Sequence, residues 1–179
     1  MEESPNASNR MSDVASAAGI SRQALYLHFP NRADLLIATA RYLDEYYLID
    51  QRLAASRSAS TGLERLDAFI EAWGNYIPKI YGMAKAFFAM KDSDEAAATA
   101  WDDRMQAVRH GCKAAIDALK ADGALSSEYT PKQATDILWT LLSVRNWEHL
   151  TLDCEWSQKR YIETTKQIAR AVLVAVPDN

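Results

Sequence analysis

A glycine flanked by two helix-capping serines constrains this chain more than any other feature. Residues 12–36 read SDVASAAGISRQALYLHFPNRADLL. Ser12 is suited to cap a helix whose first residue, Asp13, sets negative charge at the positive end of the helix dipole, and Gly19 supplies the backbone freedom that stops it. That spacing predicts a helix of about two turns. Ser21 is the next cap. In the helix it opens, Leu25 and Phe29 lie four apart and are expected to face inward with Ile20. Gln23, Ala24 and Leu27 face away, and Arg22, Tyr26 and His28 fall on the flanks. Two short helices joined by a tight glycine turn, the second with polar side chains near its start, are the pattern of a helix-turn-helix whose second helix enters a DNA major groove.

The run DVASAAGIS, the helix ending YLHF and the following PNRADLL closely resemble the DNA-binding signature of the TetR family of bacterial transcriptional repressors. The resemblance implies roles position by position. Arg22, Gln23 and Ala24 would face base edges, where Arg and Gln can form bidentate bonds to guanine and adenine. Tyr26 and His28 would contact phosphate or the groove wall, and Ser12, Ser21 and Arg32 would anchor the DNA backbone through hydroxyls, helix N-termini and charge. It also implies a homodimer on a palindromic double-stranded operator, with recognition helices about 34–36 Å apart. A larger helical body would bind a small-molecule effector that releases the repressor.

At its start the sequence departs from the family. Residues 1–11, MEESPNASNRM, carry no apolar periodicity and read as loop or disorder, where the family has an amphipathic helix covering the motif. The expectation is a truncated head, through a late start assignment or a real weakening of DNA binding. The second reading is therefore a dimeric small-molecule- or protein-binding helical module with a disabled head.

The net charge of -4 gives no argument for nucleic acid, but its distribution does. Between residues 10 and 41, Arg10, Arg22, Arg32 and Arg41 face only Asp13 and Asp34. Cys112 and Cys154 have no paired spacing, and no long apolar run or signal peptide is present. A cytoplasmic, reducing setting away from membranes is expected.

Downstream, the pattern is helical throughout, so the fold class is all-α: a helix-turn-helix head (residues 1–43) on a helical ligand-binding and dimerisation body (44–179), roughly eight helices in all. Asn31 is expected to cap a helix running to about Ser56, with Leu35, Leu36, Leu43, Tyr46, Tyr47 and Leu53 on its apolar stripe. Thr61 and Glu64 form a capping box for the next, which Pro78 is expected to interrupt. A further helix follows Asp92 and ends at Gly123. Thr130-Pro131 opens one expected to reach Trp156, and Ser157 opens the last, ending before Pro177. Tyr161, Ile162, Thr165, Ile168, Ala169, Val172, Leu173 and Val176, with Ile137, Leu138, Leu141, Leu142 and Leu150 before them, give these last two helices apolar faces. They either finish the core or, as the resemblance implies, form the dimer interface.

A bundle that encloses a ligand lines it with apolar and aromatic groups. The candidates are Phe69, Trp73, Tyr76, Phe87, Trp101, Trp139 and Trp147, each of which also serves as ordinary core. They suit a small apolar or aromatic effector, with His110, Arg145 and His149 as polar contacts where they point inward. Nothing in the residues calls for a cofactor, a metal or catalysis. His110 and Cys112 do not share a helix face, Asp102 and Asp103 read as solvated, and neither a phosphate-binding glycine loop nor a nucleophile elbow appears.

Overall fold

The fold was taken from a computed structural model, which describes residues 10–175. The reading of residues 1–9 as loop and of Val176 and Pro177 as a helix end lies outside the described residues. Met11, read as part of that loop, instead opens α1 (Met11–Ala17) and is buried. The cap also moves. Arg10 occupies the cap position and its backbone N–H donates to the Asp13 carboxylate at 2.9 Å, while Ser12 lies exposed with its hydroxyl on Asp13. An acid at the third helical position holds the free N–H from inside the helix, so no serine cap is needed.

Gly19 adopts φ +67°, the left-handed region that a side chain resists, and the turn delivers Ser21 as the cap of α2 (Arg22–His28). Its hydroxyl accepts the Ala24 N–H at 3.0 Å. Met11, Ala15 and Leu25 form a small core with Val14, Phe29 and Leu35 around it. Ile20 is not part of it. The left-handed glycine turns the chain outward, and Ile20 is 43% exposed.

Asn31 caps α3 (Arg32–Tyr46) through the Asp34 N–H at 2.9 Å. This helix belongs to two cores at once: Leu35 packs on the small head core, and Leu36 and Ile37 pack on the body. It stops ten residues short of Ser56. Leu48 takes φ 56°, and the chain bends into two single turns, α4 (Ile49–Arg52) and α5 (Ala54–Arg57). The Tyr47 carbonyl freed by the bend accepts from Arg52 Nε at 2.8 Å, and Ile49 and Leu53 turn in against the body core.

The body is built on α6 (Gly62–Met90), which crosses it without interruption. Pro78 does not break this helix as the sequence suggests. It sits on the exposed face, and the carbonyl it leaves without a donor, that of Gly74 four residues earlier, accepts from Gln158 Nε2 at 2.7 Å. The Thr61–Glu64 capping box forms as expected. Antiparallel to α6 runs α7 (Glu95–Ala121), capped by Asp94. At the far end of this pair the backbones come so close that a Cβ on Gly62 would lie 2.5 Å from the Leu119 nitrogen. The helix expected at 131–156 is divided. α8 (Pro131–Leu141) ends, Ser143 caps α9 (Val144–Glu148), and the chain continues as a wide π-turn, His149–Asp153. Asn146 bridges the break by donating to the Thr140 carbonyl at 2.6 Å. Ser157 caps α10 (Gln158–Leu173) as expected.

Among the described residues there is no strand, only an isolated bridge between Leu125 and Val174. Leu66, Ile70, Ile77, Ile116, Leu119, Leu138 and Leu173 are fully buried between α6, α7, α8 and α10. Each such side chain contributes about 1.5–3 kcal/mol on leaving water. This core is separate from the small core of the head.

Candidate functional site

Two places in this fold are candidates for recognition: the outer face of α2, and a cavity between α6, α7 and the bent segment that follows α3.

On α2, Arg22 and Gln23 are exposed at the first turn and Ala24 is half-buried behind them. The Arg22 guanidinium lies 5.4 Å from the Tyr26 ring centre, which extends its side chain along the helix face. Tyr26 and His28 are exposed and Leu27 is 79% so. Ser12 is at the surface of α1, and Ser21 spends one of its two acceptor lone pairs on the helix start, leaving its hydroxyl proton to donate. Arg32 goes elsewhere. Its guanidinium forms an ion pair with Asp94, the cap of α7, and contacts Met90 Sδ at 3.6 Å. Arg41 likewise points to the body, 3.5 Å from Asp103. Of the four arginines in the head sequence, Arg10 and Arg22 are exposed without a partner on the body, whereas Arg32 and the exposed Arg41 are each paired to an aspartate of the body.

The cavity measures about 420 Å³. Phe69, Trp73 and Tyr76 of α6 and Trp101 of α7 line it, together with Ile49, Leu53, Ile80, Met83, Met105 and Val108. Phe87, Trp139 and Trp147 do not. Phe87 packs on Trp101 from the core side, Trp139 lies under the Arg109 guanidinium, and Trp147 stacks on Tyr81 and donates its indole N–H to Gln158. His110 reaches the cavity rim, whereas Arg145 covers the Phe88 ring at 3.8 Å and His149 lies beside Asp153 at the surface.

One wall of the cavity is electrostatic, and sequence reading did not find it. Asp44, on the last turns of α3, accepts from the Tyr76 hydroxyl at 2.6 Å and from Arg104 at 2.5 Å, and Arg104 also holds Asp103 at 2.7 Å. Burial, then the Asp44 carboxylate, push the Tyr76 phenol far above its ordinary range, so it remains a proton donor. Asp44 and Tyr76 stand 32 positions apart, and Asp103 had read as solvated. No local spacing reports such a pairing. Together with Arg32–Asp94 near its start, the cluster fastens α3 to the body at both ends, while Leu35 fastens it to the head.

Residues 7–39 match the bacterial regulatory proteins of the tetR family. No curated protein matches the sequence. Among solved structures, a putative transcriptional regulator from Saccharomonospora viridis in complex with choline is similar at TM-score 0.68 and 16% identity, over 93% of this chain and 88% of that one. A putative TetR-family regulator from Rhodococcus sp. is similar at TM-score 0.66 and 22% identity, over 91% and 87%. A TetR regulator from Haloarcula marismortui gives TM-score 0.62 and 19% identity, over 93% and 88%. Residues 7–39 thus carry the helix-turn-helix sequence of the tetR family, and the chain as a whole shares its helical fold with these regulators.

Proposed function

We propose that this protein is a ligand-responsive repressor: a homodimer that holds a palindromic operator and lets go when a small apolar or aromatic molecule occupies the cavity. The head is taken as residues 1–43 and the body as 44–179. Arg22, Gln23 and Ala24 read base edges, Tyr26 and His28 meet the groove wall, and Ser12 and Ser21 fix the register on phosphate. Arg32 serves the joint between head and body instead of the DNA backbone. The dimer forms through α8 and α10, where Ile168 and Ala171 are exposed and Ile137, Leu141 and Val172 half-buried.

One observation carries this reading: the cavity wall includes Asp44, which lies on the same helix that supports the head. A ligand that disturbs Asp44, Tyr76 and Arg104 shifts α3, and α3 re-aims α2. The size of the response is bounded by the ligand's preference for one position of α3 over the other. That one similar structure holds choline supports a small organic molecule as the kind of effector.

A second reading, a folded dimer whose head no longer grips DNA, is favoured by the small head core and by the pairing of Arg32 and Arg41 with aspartates of the body. Titration of the 179-residue chain against a library of duplex DNA at two salt concentrations, with the mass in solution, separates the two. The expected result is a dimer with salt-sensitive binding to a palindrome, weakened at least a hundredfold by Arg22→Ala with Gln23→Ala. A folded dimer that selects no DNA refutes the repressor reading and establishes the second.

A further inference from the structure

The charged groups around the cavity are not equally satisfied. Arg104 is held by Asp44 at 2.5 Å and Asp103 at 2.7 Å, and Arg57 by Asp50 at 2.8 Å. Arg65, on the first turns of α6, lines the same cavity half-buried. Among the described residues its guanidinium has no hydrogen bond, ion pair or ring contact; only its backbone is engaged, the N–H donating to the Thr61 carbonyl at 2.9 Å and the carbonyl accepting from the Ser56 hydroxyl at 3.0 Å. The lining carries three arginines, Arg57, Arg65 and Arg104, beside the carboxylates of Asp44 and Asp50 and that of Asp103, which Arg104 also holds. All three carboxylates are taken by Arg57 and Arg104, which leaves Arg65 as the arginine of the lining without one.

A cation partly withdrawn from water and left without a partner is unfavourable, and an anion delivered beside it relieves that cost. The guanidinium fork accepts a carboxylate through two parallel N–H bonds, which sets orientation as well as affinity. Phe69, on the next turn of α6, and Trp73, Ile80, Met83 and Trp101 beyond it offer apolar walls leading away from Arg65. A ligand matched to this arrangement has a carboxylate at one end and a hydrocarbon or aromatic body behind it. An ammonium ligand of the same length meets a charge of its own sign.

We infer that the effector is an amphipathic monocarboxylic acid whose carboxylate pairs with Arg65 and whose apolar body lies along Phe69, Trp73 and Trp101. This rests on the cavity being the effector site, and the test separates the two statements. Decanoate, decanamide and decyltrimethylammonium are titrated into the full chain, followed by the fluorescence of Trp73 and Trp101 and by calorimetry. Decanoate is expected to bind at least tenfold more tightly than decanamide, with the ammonium weakest. Arg65→Gln should reduce decanoate affinity about tenfold and leave decanamide unchanged. Because Arg65 has no partner to lose, the variant should melt with the parent; should it fail to fold, the comparison of the three ligands on the parent protein decides alone. Equal binding of decanoate and decanamide, or an Arg65→Gln variant that binds decanoate as before, overturns the inference and leaves the cavity as the effector site. Failure of all three to bind overturns the effector reading of the cavity and the inference with it.

Discussion

Gln158 joins three helices of the body through one side-chain amide, and its removal tests how α6 survives its proline. Nε2 donates to the Gly74 carbonyl at 2.7 Å, and Oε1 accepts from the Trp147 indole at 2.8 Å. Gly74 and Trp147 are both buried, so Gln158→Leu leaves an acceptor and a donor without partners or water. Each costs about 1–3 kcal/mol, and the pair about 4 kcal/mol at the centre of that range. For a chain of this size each kcal/mol lowers the melting temperature by roughly 2–4 °C, which puts the loss at roughly 8–16 °C. Pro78→Ala supplies the N–H that residue 78 lacks, aimed at the Gly74 carbonyl by the helix itself. In that background Gln158→Leu should cost only the share of Trp147, so the two substitutions should be coupled by about 2 kcal/mol. Denaturant unfolding of the four proteins, followed by far-ultraviolet circular dichroism, measures the cycle. Additivity to within about 0.5 kcal/mol would show that Gly74 does not depend on Gln158 and would refute the account of how the helix passes Pro78.

Gly62→Ala should destabilise the body by about 1–3 kcal/mol, because the new Cβ meets the backbone of Leu119 at 2.5–2.6 Å and neither helix can yield a side chain; an unchanged denaturant midpoint would remove the close crossing from the argument. The Tyr81–Glu148 contact gives a pH signature. The Tyr81 hydroxyl, at 2.5 Å, and then Arg145 hold Glu148 below the ordinary carboxylate range, while Tyr81 is raised by the same bond. The depressed acid stabilises the fold above its unfolded value of about 4.3 and ceases to as the pH falls through its folded value; the raised phenol does so fully below about 10 and ceases to as the pH rises through its own, higher folded value. Tyr81→Phe should therefore cost about 1 kcal/mol on a plateau between these limits, with the difference vanishing in acid, read from melts across the pH range. A difference that persists at pH 2 would assign it to packing.

What could be read in advance was local chemistry. Ser21, Thr61 with Glu64, Thr130 with Gln133 and Ser157 announce helix starts because each cap bonds within three residues of itself. Gly19 marked the turn for the same reason. Pro78 misled because the donor that replaces its N–H lies on α10, 84 positions from the carbonyl it serves. The bend at Leu48 and the break at Ser143 are fixed by what Ile49, Leu53 and Val144 pack against, which no window along the chain contains. The aromatic candidates for the cavity divided, four on its wall and three in packing or surface contacts, because a tryptophan at helical spacing looks the same in either place. Asp44, Arg65 and Arg104, the charged groups of the cavity, gave no local signal.

The close crossing of Gly62 over Leu119 also decides where a bound molecule can make room for itself. The α6–α7 hairpin is shut at one end by its own connecting turn, which Arg32 ties to α3 through Asp94, and at the other by backbone pressed on backbone, with the Gly62 N–H bonded to the Asp122 carboxylate. That jaw of the cavity cannot open. The opposing jaw, made of the end of α3 and the single turns α4 and α5, rests on few buried side chains and ends in a bend at Leu48. A guest larger than the resting space meets least resistance at this second jaw, so added volume on one side becomes travel along α3, the element that leads from the body to the head among the described residues.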